Sequence, residues 1–129
     1  MIMSLDMLSG LLSQRSGIEQ SIAGSVINAV IGHITQQGGI SNLFNRGSNY
    51  TDHDRIGGIQ SALSNLIGQR DSGQINQDHS LIQCVQQKTG IQDQEKAREY
   101  THHALGVLNE HANSNPNGLQ SIFSNLLGL

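Results

Sequence analysis

The stretch Ile18–Gln37 reads "IEQSIAGSVINAVIGHITQQ". Its apolar residues fall at helical spacing in two neighbouring stripes. Ile22, Val26 and Val30 form one; Ala23, Ile27, Ile31 and Ile34 form the other. A single stripe makes a surface helix. Two adjacent stripes make a helix that is apolar over much of its circumference and must be covered from several sides. The stretch therefore predicts the central helix of an all-α bundle. Gly24, Ser25, Ala29 and Gly32 are small enough to let neighbouring helices approach it. Gly17, just before it, can take the left-handed conformation that ends a preceding helix, and Gly38-Gly39 stop it.

The same reasoning extends outward. Upstream, "LDMLSGLLSQ" predicts a helix over Leu5–Gln14 with Ser4 as its cap. Downstream, "ISNLFN" makes a short helical turn before the loop "RGSNY". Thr51 and Asp54 have capping-box spacing, with Asp in place of the usual Glu. They open a helix over about Asp52–Gln69 that Gly57-Gly58 threaten to break or kink. "RDSGQINQ" is the most linker-like stretch. Asp78 is placed to cap "HSLIQCVQQ", which Gly90 ends. A long helix over about Asp93–Ala112 turns Ala97, Tyr100, Ala104, Leu105, Val107 and Leu108 inward and reads as peripheral. "NSNPNG" is a loop, since Pro116 disfavours helix at Asn115. Leu119–Leu127 closes the chain as a helix.

One phrase occurs twice. "GIQSALSNLIG" spans Gly58–Gly68 and "GLQSIFSNLLG" spans Gly118–Gly128, with seven of eleven positions identical. In the second copy Leu119, Ile122, Phe123, Leu126 and Leu127 share one helical face; in the first, Ile59, Ala62, Leu63, Leu66 and Ile67 do. So short a helix is not stable alone and must lie on something apolar, for which the central helix is the expected partner. The halves of the chain also agree. "SQRSGIEQ" from Ser13 and "QQKTGIQD" from Gln86 each join a short helix to a long one. The expected architecture is a single all-helical domain over 1–129. It is a small helical bundle or right-handed superhelix of two related helix–turn–helix units. These cover about 4–47 and 78–129, with an extra amphipathic helix at about 52–69 between them.

With both Gly-Ile turns and the Gly-Leu phrase in view, the chain resembles the YidB-like family of small bacterial domains of unknown function. The second unit, Leu81–Leu127, with "QKTGIQDQEKA" and "GLQSIFSNLL", carries the closer match; the first, Leu8–Phe44, is looser. Such domains often have a Pro in the long helix, and neither "NAVIGHI" nor "HHALGVL" has one. The resemblance implies an all-helical, superhelical fold. It brings no catalytic residues with it.

Composition narrows the function. Charged residues are 13% of the 129, aromatic residues 3%, and the net charge is −3. Gly, Ser, Gln and Asn number 15, 15, 14 and 11, which makes an uncharged, hydrogen-bonding surface. The densest basic group, Lys88, Lys96 and Arg98, is diluted by Asp93, Glu95 and Glu99, whereas nucleic-acid binding draws its affinity from basic clusters. A nucleic-acid module stays as an alternative through the comparison of YidB-like domains with homeodomain-like folds. Cys84 is a lone cysteine among apolar neighbours, reading as a small core hydrophobe in a reducing, cytoplasmic chain. The N-terminus reads as an amphipathic helix, and no apolar run reaches the roughly 18 residues of a membrane span.

Six histidines, His33, His53, His79, His102, His103 and His111, raise a metal-binding alternative. Glu99 is spaced to pair with His102 or His103, and Glu110 stands nearby. Exposed polar histidines are the simpler expectation. No G-x-S-x-G elbow or phosphate loop occurs. The sequence therefore predicts a non-enzymatic interaction or structural module, without catalytic, cofactor or metal residues. A protein partner or self-association is expected, with Leu119, Ile122, Phe123, Leu126 and Leu127 as the interaction face.

Overall fold

The computed structural model describes residues 5–37, 51–76, 79–114, 118 and 120–123, the side chains of 5, 6, 37, 52, 53 and 55 apart. Most of these residues are helical, with no strand among them. Helix α1 is Leu5–Ser16, α2 Gln20–Gln37, α3 Asp52–Asp71, α4 Ser80–Thr89 and α5 Gln94–Ser114. Helical residues follow at 118 and 120–123. Among the described residues no helix is long and apolar enough to cross a membrane.

Helix α2 is the centre that its two stripes require. Ala23, Val26, Ile27, Ala29, Val30, Ile31 and Ile34 are buried, and Ile22 packs against them half-buried. Helices α1, α3, α4 and α5 all touch it. Gly24 allows the close approach of α1, because a Cβ there would stand 3.0 Å from the Ser9 hydroxyl oxygen. A Cβ on Gly32 would meet nothing within 4 Å, so that glycine mediates no such approach.

The two Gly-Ile turns have matching geometry. Gly17 and Gly90 both sit at φ 76°, the left-handed region. Gly17 N–H donates to Ser13 C=O at 2.8 Å, and Gly90 N–H to Gln86 C=O at 2.9 Å. The hydroxyl before each glycine donates back one turn: Ser16 to Leu12 C=O and Thr89 to Val85 C=O, both at 2.6 Å. The helices they end bury corresponding residues, Leu8 and Leu12 in α1 and Leu81 and Val85 in α4.

Helix α3 begins with the expected capping box. Thr51 N–H donates to the Asp54 carboxylate at 3.1 Å, and Asp54 N–H donates to the Thr51 hydroxyl at 3.2 Å. The helix then runs unbroken through Gly57-Gly58. A glycine in a helix costs about 1 kcal/mol, and the buried face of Ile59, Leu63 and Leu66 offsets that. That face rests chiefly on α5, with only light contact to α2, so the central helix is not its main support. Gln60 donates to Ala112 C=O at 3.1 Å and Arg70 to His102 C=O at 3.1 Å. The early residue of α3 thus meets the late residue of α5, and the pair runs antiparallel.

Nor is α5 peripheral. It touches α1, α2, α3 and α4, and buries Thr101 and Ala112 beside the expected Ala97, Ala104, Leu105, Val107 and Leu108. Tyr100 is partly buried. The Thr101 hydroxyl is satisfied by Ala97 C=O at 2.7 Å, which is how a polar side chain tolerates the interior. The linker-like stretch is also tied down: Ile75 is 1% exposed and its carbonyl accepts from His102 at 3.3 Å. The expected short helix at "ISNLFN", the cap at Ser4 and the loop around Pro116 lie outside the described residues.

Candidate interhelical site

Helix α3 packs chiefly on α5 and only lightly on α2, which leaves a gap between α3, α2 and the start of α4. The gap is a cavity of about 310 Å³ lined by His33 and Ile34 of α2, Ala62, Asn65, Leu66 and Gln69 of α3, and His79 and Ser80 at the start of α4. Its lining mixes aliphatic side chains with imidazole, amide and hydroxyl groups, with no carboxylate among the described residues.

His79 caps α4, a role the sequence gives to Asp78, which lies outside the described residues. The His79 backbone is extended, at φ −66° and ψ 140°. Its ring Nδ1 accepts from Leu81 N–H at 3.1 Å, and Nε2 lies 3.2 Å from Gln69 Oε1. Since Nδ1 is the acceptor, the proton of the neutral ring is on Nε2 and is donated to Gln69. Both nitrogens are therefore engaged. An imidazole can cap a helix as a carboxylate does, because only an acceptor one residue before the first turn is needed.

His33 is different. It is 7% exposed, and among the described residues it has no hydrogen-bond partner. Its ring centroid lies 6.2 Å from that of His79 at 59°. Burial, and then the nearby His79, hold the His33 pKa below the ordinary histidine value, so the ring is neutral near pH 7. The expectation of exposed histidines fails here: His33 sits inside the apolar run of the central helix.

The other histidines are half-buried, and the His53 side chain is outside the described residues. His102 bonds the Ile75 carbonyl. Burial lowers its pKa first, the Ile75 bond opposes that, and Arg98, Arg70 and His103 add to the lowering. Burial likewise lowers His111, against the pull of Glu110. Glu110 pairs with Arg15 and is held below the usual carboxylate range by that bond. Glu99 is exposed. No three His, Cys, Asp or Glu side chains come together among the described residues. Cys84 packs against the core, with Sγ 3.7 Å from Ala29 C=O.

Of the expected interaction face, Ile122 is 3% and Phe123 0% exposed, buried in their own chain. Leu119, Leu126 and Leu127 lie outside the described residues. The basic residues are dispersed: Arg15 pairs with Glu110, Arg70 with Asp71 and Arg98 with Glu95. Spacing rules miss the His33–His79 pair because they look three or four residues along one helix, whereas these rings come from different helices. The available signal was a histidine within the apolar stripes of "NAVIGHIT". The chain matches no protein-family model, no curated protein and no solved structure with which it was compared.

Proposed function

We propose that the protein is a non-enzymatic helical binding module and that the cavity between α2, α3 and α4 is where it binds. One observation carries the reading: His33, 7% exposed, lines the cavity and has no hydrogen-bond partner among the described residues. A ligand in the cavity would supply a hydrogen bond that no described residue gives this ring. The lining suits recognition, since its polar groups are hydrogen-bonding amides, imidazoles and a hydroxyl among aliphatic side chains.

The burial of Ile122 and Phe123 in their own chain favours the cavity over that face as the binding site; the protein partner or second copy expected from sequence stays as the second reading. We further read the chain as two related helix–turn–helix units in a superhelix of the YidB-like kind. The matching turns at Gly17 and Gly90 support this. The single Cys84 fits a reducing setting such as the cytoplasm.

The test is a nuclear magnetic resonance screen of the full chain, labelled at histidine rings and leucine methyls, against a library of small polar metabolites. Hits are expected to move His33, His79 and Leu66 together. A set of hits that all map elsewhere, or none at all, would remove the cavity reading.

A further inference from the structure

An imidazole caps α4, and that choice of group has a consequence. A side-chain hydroxyl or amide cap accepts a hydrogen bond at any pH near neutral, whereas an imidazole accepts only while one nitrogen is bare. His79 Nδ1 accepts from Leu81 N–H at 3.1 Å, and Nε2 donates to Gln69 Oε1 at 3.2 Å. A proton added to this ring therefore goes to Nδ1. The acceptor becomes a donor that faces another donor, and the cap bond breaks. The Gln69 bond survives, because Nε2 donates in both states. Leu81 is 0% exposed, so its amide loses its acceptor inside the protein and has to move to find another.

Other ties at this corner do not depend on a neutral ring. His102 Nε2 lies 3.3 Å from the Ile75 carbonyl, which can only accept, and a charged His102 still donates. Ile82 N–H bonds the His79 backbone carbonyl at 3.0 Å, and Ile82 is 0% exposed. The change is therefore confined to the first turn of α4 and leaves the rest of the helix seated. We propose that His79 is an acid-released latch: neutral, it fixes the first turn of α4 through Leu81; protonated, it lets that turn go. Because His79 and Ser80 also line the cavity, the release reshapes its wall, whether or not a ligand is present.

The groups that face this ring are few. From α2 comes His33, whose ring centroid is 6.2 Å away, and two imidazolium charges at that separation repel, which acts in the direction of release. Helix α3 faces it with the uncharged Asn65 and Gln69, and neither α1 nor α5 enters the described lining. The first turn of α4 has no acidic residue, and Asp78, next to His79 in sequence, lies outside the described residues. A carboxylate near His79 would change the pH at which the ring is charged, not the nitrogen that takes the proton.

Nuclear magnetic resonance of ring nitrogens and backbone amides in the full chain, from pH 7.5 to pH 5, spans the range in which histidines change charge. At pH 7.5 the His79 ring should show a bare Nδ1 and a protonated Nε2. As pH falls, the Leu81 and Ser80 amide shifts should move with the midpoint of the His79 ring. Exchange protection of Leu81, corrected for the intrinsic effect of pH, should fall several-fold and by more than that of the buried Leu105 in α5. His79→Asn supplies an acceptor that does not titrate, and Asn ranks with Asp and Ser as a helix cap. This variant should keep the circular dichroism spectrum and protect Leu81 equally at both ends of the range. A His79→Asn chain whose Leu81 loses as much protection in acid as the unaltered chain would overturn the latch. So would a Leu81 amide that stays unmoved in the unaltered chain while His79 titrates. A His79 ring protonated on Nδ1 at pH 7.5 would remove the cap on which the latch rests.

Discussion

At the scale of single residues, two buried side chains give opposite kinds of prediction. Phe123 is fully buried in its own chain. Removing a buried Phe side chain costs about 3–5 kcal/mol, a large share of the stability of a small domain. Phe123→Ala should therefore lower the urea midpoint by the same amount at every protein concentration. A loss that grows on dilution would mean that the ring joins two chains instead. The buried histidines act through protons. His33, His102 and His111 all have pKa values held below the ordinary 6.5, chiefly by burial. The unfolded chain takes up protons near that value while the folded chain resists. Stability is thus fully present above about pH 6.5 and declines as pH falls below it. Melting at pH 5.5 should occur below melting at pH 7.5, and His33→Gln should narrow the gap. Equal melting temperatures at the two pH values would contradict the burial of these rings.

At the scale of the element, the helix ends are where sequence rules worked best. The Thr51–Asp54 box and the glycine stops at Gly17 and Gly90 formed as local chemistry requires. Each is fixed by residues within a turn of one another, so no distant contact can overrule it cheaply. Gly17→Ala and Gly90→Ala should each destabilise by about 1–2 kcal/mol, because both force a side chain into the left-handed region. Nothing crowds either position, so the loss is backbone strain alone. A near-equal pair of losses in calorimetry would fit the reading of two related turns; a negligible loss at either would refute the strained geometry there. Gly57-Gly58 show the limit of the same rules. The pair reads as a break in the sequence, yet α3 continues through it because the face of Ile59, Leu63 and Leu66 is buried. Packing energy gathered over a whole face outweighs a local propensity deficit of about 1 kcal/mol per glycine.

For the whole molecule, α2 and α5 each touch the other four described helices. Val26 is at the centre and 0% exposed. Val26→Asp buries a charge without a partner and should cost several kcal/mol. A variant that kept its melting temperature would show that α2 is not the core. The central place of α2 was legible from "IEQSIAGSVINAVIGHITQQ" alone, since two apolar stripes on one helix demand cover from several sides. The place of α5 was not. Its polar face suggested the periphery, but four neighbours share its single apolar side, and only the arrangement of the other helices reveals that. Sequence by itself determined the helical class, the central helix and the ends of most helices, because periodicity and capping act within a few residues. Tertiary structure decided that the repeated phrase at Gly58–Gly68 rests on α5, that Ile75 anchors the apparent linker, and that His33 meets His79 across a cavity. Those outcomes depend on how the helices stack, and stacking is set by contacts between residues tens of positions apart, which no local pattern encodes.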